Sequence, residues 1–227
     1  MAGQITALRY QKRTAERVNV YLDGRFALGL PAVQAARLHV GQYLSDADIA
    51  HLQAADAEQK AYDRAVRFLS YRPRSLAEVH RHLVEANVEE AEIQATIERL
   101  IRQGYLDDAQ FARFWVENRQ QFRPKGALAL RQELRQKGLD SATIEAAIAG
   151  LDPLAEAVAA GRTRALRLAA LAEEDPAAFR RRLGDFLLRR GFDFETVREA
   201  VTQLAGEVRS DEELSSDPLS GSLSEDM

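Results

Sequence analysis

Hydrophobic positions along this chain follow two rhythms. In residues 5–30 they alternate: Leu8 and Tyr10, then Val18, Val20 and Leu22, then Phe26, Leu28 and Leu30. Period two is the strand signal. Asp23-Gly24 separates the second and third runs, and Asp-Gly favours the tight primed turn. A hairpin of residues 17–22 and 25–30 is therefore expected, with residues 11–15 as a looser connection. Pro31 opens a short helix to about His39, since proline suits a first helical position, and Gly41 ends it. From Ser45 onward apolar residues fall three and four apart, the helical spacing. Ser45 caps a helix whose apolar points are Ile49 and Leu52, and the stretch to Lys60 is polar. Ala61, Ala65, Phe68 and Leu69 then form a stripe leading into the first repeat.

The helical part repeats itself. Residues 72–100 are written again from Arg123, and a third time, less closely, from Phe179. Val79, Leu83, Val88, Ile93, Ile97 and Leu100 fall on Leu130, Leu134, Leu139, Ile144, Ile148 and Leu151. They fall again on Leu183, Leu187, Phe192, Val197, Val201 and Leu204. A period of about 50 residues points to a repeat architecture. Each copy reads as helix, sharp stop, helix. Ser75 with Glu78 is a capping box. Asn87, Gly138 and Gly191 supply the left-handed residue that ends a helix cheaply. Glu89, Asp140 and Asp193 stand where they cap the next helix.

A leading helix precedes each pair. The second has Phe111, Phe114, Trp115 and Val116 crowded on it, runs to about Asn118, and is read as the packing seam between units. A base-stacking platform is the functional alternative for these aromatics. Asp107 or Asp108 caps that helix. Asp152-Pro153 starts the third leading helix, expected to run unbroken from Leu154 to about Ala172, and Asp175-Pro176 starts the next. The last helix is expected to end near Gly206. The expected organisation is an N-terminal hairpin with short helices over 1–55, three-helix repeats over 56–108, 109–152 and 153–207, and a disordered acidic tail over 208–227. The fold class is mainly α: tandem three-helix repeats in an elongated curved body, with a small N-terminal antiparallel sheet.

Charge changes the picture at the tail. Among 227 residues the formal net charge is −4. Six acidic residues and no basic one lie in 210–227, which leaves 31 basic against 29 acidic side chains in the body. The body is neutral to basic, and the tail is a separate acidic object that should be disordered. There is no cysteine, so disulfides and thiolate metal sites are excluded, which fits a reducing cytosol. No signal peptide and no membrane span are read from the pattern.

Catalytic motifs are not found: no phosphate-cradling Gly-rich loop with Lys-Ser/Thr, no GxSxG and no HExxH. His80 and His82 are two apart on a helix and point to different faces, so no metal site is expected. No cofactor is expected either. The remaining signal is basic. Arg72 and Arg74 flank Pro73, and Arg123 and Lys125 flank Pro124 at the same place in the next repeat. Arg180, Arg181 and Arg182 lie in the third repeat, with Arg189-Arg190 at its helix end, and Arg13 in the hairpin connection joins Arg9, Lys12 and Arg17. Cations at matching places of stacked units would form a row suited to a polyanion or an acidic protein groove. For any single arginine, a solvated helix end is the plainer account.

Four stretches, in this order, resemble the RecX family of bacterial recombinase regulators: VYLDGRFALGL (residues 20–30), FLSYRPRSLAEVHRHL (68–83), GYLDDAQFARFWVENR (104–119) and KGALALRQELRQKGL (125–139). The resemblance covers nearly all of the chain except the tail. It implies a cytoplasmic, monomeric, non-enzymatic protein that binds the RecA–single-stranded DNA filament and restrains strand exchange, ATP hydrolysis and co-protease activity, in DNA repair and the SOS response. The filament, and the single-stranded DNA within it, are the implied partners, with weak direct DNA binding. No ligand set comes with the resemblance. The candidate contacts Arg13, Arg72, Arg74, Arg123, Lys125, Arg180, Arg181 and Arg182 follow from charge alone. The alternative is a stand-alone helical-repeat nucleic-acid-binding protein, against which the near-neutral body weighs.

Overall fold

The computed structural model describes residues 2–11 and 14–216, and of residues 14, 15 and 211–216 the backbone alone. The chain divides into two compact units, 1–106 and 107–227. The first holds the sheet and repeat 1, and the second holds repeats 2 and 3.

Three strands, β1 (Gly3–Gln11), β2 (Thr14–Leu22) and β3 (Arg25–Pro31), and the short β4 (Tyr43–Leu44) form an antiparallel sheet of order β3-β2-β1-β4. Asp23 and Gly24 take φ of 47° and 81°, so the expected primed turn joins β2 to β3. Val18, Val20, Leu22, Leu28 and Leu30 are buried with Ile5, Leu44 and Ile49. Phe26 departs from the expected alternation and is exposed. The β2–β3 register slips between Val20 and Tyr21. Such a bulge turns the residues beyond it onto the other face, where Phe26 meets Tyr21 edge to face at 6.0 Å. The helix after Pro31 is only α1, Ala32–Ala35.

A single helix, α2 (Asp46–Leu69), opens with a Ser45–Asp48 capping box. The boundary expected at 55/56 therefore falls inside a continuous helix. Its first half packs on the sheet through Ile49 and Leu52. Its second half, with Tyr62, Ala65, Val66, Phe68 and Leu69, packs on α3 (Leu76–Glu85) and α4 (Glu90–Arg102) to make repeat 1. Repeat 2 is α5 (Asp108–Phe122), α6 (Ala127–Gln136) and α7 (Ser141–Ile148).

Repeat 3 has four helices: α8 (Pro153–Leu166), α9 (Ala169–Glu174), α10 (Pro176–Arg189) and α11 (Phe194–Ser216). The expected unbroken leading helix is interrupted at Arg167–Leu168, and the separate α9 packs on α10 and α11. Apolar spacing across the break stays helical, so the pattern carries no sign of it. The last helix passes the expected stop at Gly206 and continues to Ser216, because Val208 still sits in the core. Residues 217–227 of the expected tail lie outside the described residues.

The repeat register holds. Sixteen of the eighteen aligned positions are buried, and Val88 and Leu151 pack on their cores partly covered. Asn87, Gly138 and Gly191 all take positive φ, at 57°, 85° and 83°. The helix-start carboxylates split by length. Asp140 and Asp193 accept from the N–H of Thr143 and Thr196, each at 2.9 Å. Glu89 occupies the same place without a side-chain cap bond; its extra methylene carries the carboxylate past the N–H that an aspartate meets. The aromatic residues of α5 contribute to the core of their own repeat: Phe111 and Val116 are buried, Trp115 is partly covered, and Phe114 is 42% exposed.

Candidate interaction surface

The expected basic residues fall into two classes. Some are spent on neighbours. Arg72 makes a two-pronged bond to Glu78 at 2.8 and 3.2 Å and donates to the Pro73 carbonyl. Glu78 is also the carboxylate of the Ser75 capping box, so the fork closes a local knot at the start of α3. Arg74 lies 4.0 Å over the Phe68 ring. Burial pushes its guanidinium below the ordinary arginine value, the Arg72 charge adds to this, and Glu78 opposes it. His82 stacks on Phe68, also at 4.0 Å and 11° from parallel. That spacing leaves room for one group per face, so Phe68 is sandwiched.

The matching helix position in repeat 2 carries different chemistry. Where repeat 1 has His82, repeat 2 has Glu133. Its carboxylate accepts from Lys125, from Arg119 at 2.8 Å and from the Trp115 indole at 2.8 Å. Arg119 and Lys137 also lie over the Trp115 ring, at 4.6 and 5.1 Å. Burial pushes the Glu133 carboxyl up, but the bonds from Lys125, Arg119 and Trp115 outweigh it and hold the group below the ordinary glutamate value. Lys125 is thus part of an internal ion cluster.

The second class is open. Arg123 is exposed and has no ion pair among the described residues. Arg180, Arg181 and Arg182 are exposed on α10, also without ion pairs there. Consecutive helical residues diverge by about 100°. With Phe179, Leu183 and Leu187 in the core, Arg181 points directly away and the other two flank it. Arg189 lies about two turns beyond and is exposed. Arg190 bends back, donating to the Pro124 carbonyl at 3.0 Å and covering Phe186 at 4.8 Å. Arg13 lies outside the described residues, and Arg17 is held by the buried Asp56 at 2.9 Å. Arg72 and Arg74 belong to the first unit, and Arg123, Lys125 and Arg180–Arg182 to the second.

The sequence reading passes over a further cluster. Lys60, Arg64, Arg67 and Tyr71 are four, three and four residues apart, so they share one stripe of α2. They line a groove of about 660 Å³ in repeat 1, whose other wall carries His82 and the Asn87 turn. The spacing was visible in the sequence, in a stretch read for its apolar stripe Ala61, Ala65, Phe68 and Leu69.

A small antiparallel sheet followed by three consecutive helical repeats, with cations displayed on loops and helix faces, defines a helical-repeat protein. The chain belongs to the RecX family. The family's N-terminal domain model matches residues 3–45, and its first, second and third three-helix domains match residues 61–100, 107–148 and 155–201. The regulatory protein RecX of Bacillus subtilis (strain 168) is 32% identical over 220 residues, covering 95% of this chain and 81% of that protein. That of Lactobacillus delbrueckii subsp. bulgaricus (strain ATCC BAA-365 / Lb-18) is 34% identical over 215 residues, covering 92% and 78%. A crystal structure of regulatory protein RecX superposes with a TM-score of 0.69 at 27% identity, covering 91% of this chain and all of that one. RecX from Lactobacillus salivarius gives 0.60 at 26% identity over 66% of this chain. The family is one of regulatory proteins. Among the described residues no helix is long and apolar enough to cross a membrane.

Proposed function

We propose that this chain is a non-enzymatic, monomeric cytoplasmic regulator that binds the RecA–single-stranded DNA filament and inhibits its recombinase, ATPase and co-protease activities. It would thereby temper DNA repair and the SOS response. The observation that carries this reading is the match to all four RecX domains in order. The open cations Arg123, Arg180, Arg181 and Arg182 are the contacts we assign to the filament, whose DNA phosphates and acidic side chains attract positive charge. Arg72, Arg74 and Lys125 contribute to the surface field but are committed to Glu78, Phe68 and Glu133.

The test is inhibition of RecA's DNA-dependent ATPase by the full chain and by the variant carrying Arg123→Glu, Arg180→Glu, Arg181→Glu and Arg182→Glu. Inhibition should weaken in the variant with unchanged circular dichroism. The difference should shrink as salt rises, because charge effects fade with the Debye length. Absence of inhibition by the parent chain would remove the reading altogether. Full inhibition by the folded variant would place the contact elsewhere. A stand-alone nucleic-acid binder would bind naked and RecA-coated DNA equally.

A further inference from the structure

Repeats 1 and 2 each hold an exposed aromatic ring at the same place. Tyr71 stands just before Arg72-Pro73, and Phe122 just before Arg123-Pro124. Tyr71 is 77% exposed and Phe122 is 71% exposed. Each sits where the leading helix of its repeat stops, since α2 ends at Leu69 and α5 at Phe122. A proline pushes the residue before it out of the helical region, and Arg123 accordingly takes φ −158° and ψ 70°. The chain leaves the helix there, and the ring is left outside the core. Among the described residues neither ring meets an aromatic or cationic partner.

The surroundings of the two rings have diverged. The groove cations Lys60, Arg64 and Arg67 fall on Phe111, Trp115 and Asn118 of repeat 2, and Phe68 falls on Arg119. A cation track is therefore not what the repeats share. Three of the four doublet cations are also tied up: Arg72 on Glu78, Arg74 on Phe68 and Lys125 on Glu133. What both repeats keep at this surface is apolar, a ring close to a proline. An exposed ring forgoes the burial that builds the cores, and aromatic side chains are enriched where one protein meets another. Open positive charge stands beside each ring. Arg67 lies one helical turn before Tyr71, and Arg123 directly follows Phe122; both are exposed, with no ion pair among the described residues. The partner that fits both places has an apolar pocket with an acidic rim, which a protein surface offers and a phosphate backbone does not.

We infer that Tyr71 and Phe122 anchor a protein–protein contact, each ring filling an apolar, acid-rimmed pocket on a partner that presents the same pocket more than once. Resting on the filament reading, this contact takes the identical protomers of the filament as the source of equivalent pockets. Repeats 1 and 2 then grip the filament's protein rather than its strand.

The experiment measures inhibition of RecA's DNA-dependent ATPase by the full chain, by Tyr71→Ala, by Phe122→Ala and by the double variant, with circular dichroism on each. Each single change should raise the concentration for half inhibition about five- to thirtyfold, the loss at an interface hot spot. The double variant should lose about the product of the two factors, as separate contacts do. Tyr71→Phe should match the parent, because repeat 2 carries phenylalanine at that place. Val33→Ala, at a residue 78% exposed and outside the repeats, should match it too. Parent-like inhibition by the folded alanine variants overturns the inference and leaves the filament reading in place. No inhibition by the parent removes the filament reading and this contact with it. A double variant no weaker than either single variant overturns the pair of pockets. Loss in Tyr71→Phe would make the hydroxyl the contact, and an equal loss in Val33→Ala would make any exposed apolar residue matter; either overturns the anchor. Fluorescence polarisation with a naked oligothymidylate separates the remaining case: equal losses there would mark the rings as base-stacking platforms and overturn the protein contact.

Discussion

Gly126 and Gly191 stand backbone to backbone across the second unit. The Gly126 N–H donates to the Arg190 carbonyl at 3.0 Å, and the Leu128 N–H to the Gly191 carbonyl at 3.3 Å. A Cβ on Gly126 would overlap the Gly191 carbonyl, and a Cβ on Gly191 would overlap Ala129. Repeat 2 is thereby bolted to repeat 3 at the start of α6. At the matching place in repeat 1 the chain has Ser75, which spends its side chain on a capping box.

Gly126→Ala should therefore destabilise the protein by about 1–3 kcal/mol, the usual range for forcing an atom into a packed site. Gly150 has no neighbour within reach of a Cβ, so Gly150→Ala should be neutral or slightly stabilising. Urea unfolding of the two variants compares them directly. Equal midpoints would mean that the two repeats part at little cost.

The repeat register makes a second prediction. Leu134 and Leu187 are fully buried at equivalent positions. Leu134→Ala and Leu187→Ala should each cost about 2–5 kcal/mol. Leu188, the next residue along, is 43% exposed, and Leu188→Ala should change stability by no more than about 0.5 kcal/mol. A chemical denaturation series would expose any reversal of that order.

How far the sequence disclosed this structure depends on the range of the interaction. The core stripes were legible because every copy must bury the same faces, and caps and left-handed stops are set by residues a few positions apart. The partners of the basic residues were not. Arg74 finds Phe68, and Lys125 finds Glu133, only because of how the helices of a repeat cross, which spacing along one helix does not encode. Repetition even misleads here, since His82 and Glu133 share a position and do unrelated things. The continuity of α2, the break after α8 and the bulge at Phe26 likewise follow from packing between elements. The Lys60–Tyr71 stripe was readable by spacing, but only the groove beside it gives the spacing a meaning.

Glu133 supplies a pH signature. Its folded pKa is depressed, so its contribution to stability is present above the unfolded value of about 4.3 and is lost as pH falls through the folded value. Glu133→Gln removes the charge at every pH and leaves Lys125 and Arg119 without their shared anion, which should cost about 1–3 kcal/mol at neutral pH. The gap in melting temperature between parent and variant should close as pH drops below about 4. A gap that persists undiminished at low pH would show that the carboxylate's charge is not what the cluster needs.

Arg72 and Arg123 occupy the same position in consecutive repeats, and their charge reversals should behave oppositely. Arg72 holds Glu78 with both nitrogens while Glu78 caps α3. Arg72→Glu would set two carboxylates against each other and loosen that cap, at a cost of about 1–2 kcal/mol. Arg123 has no such partner. Its charge acts on Arg190, whose guanidinium is lowered first by burial and then by the charge of Arg123. Arg123→Glu replaces a repulsion with an attraction, so stability should stay within about 0.5 kcal/mol of the parent or rise slightly. Thermal melts at low and high salt would check both, since the effect at Arg123 is electrostatic and should fade with screening. If both variants lost stability alike, the duplicated doublet would have one structural role in both repeats. The use of Arg123 as an open contact for the filament would then lose its ground.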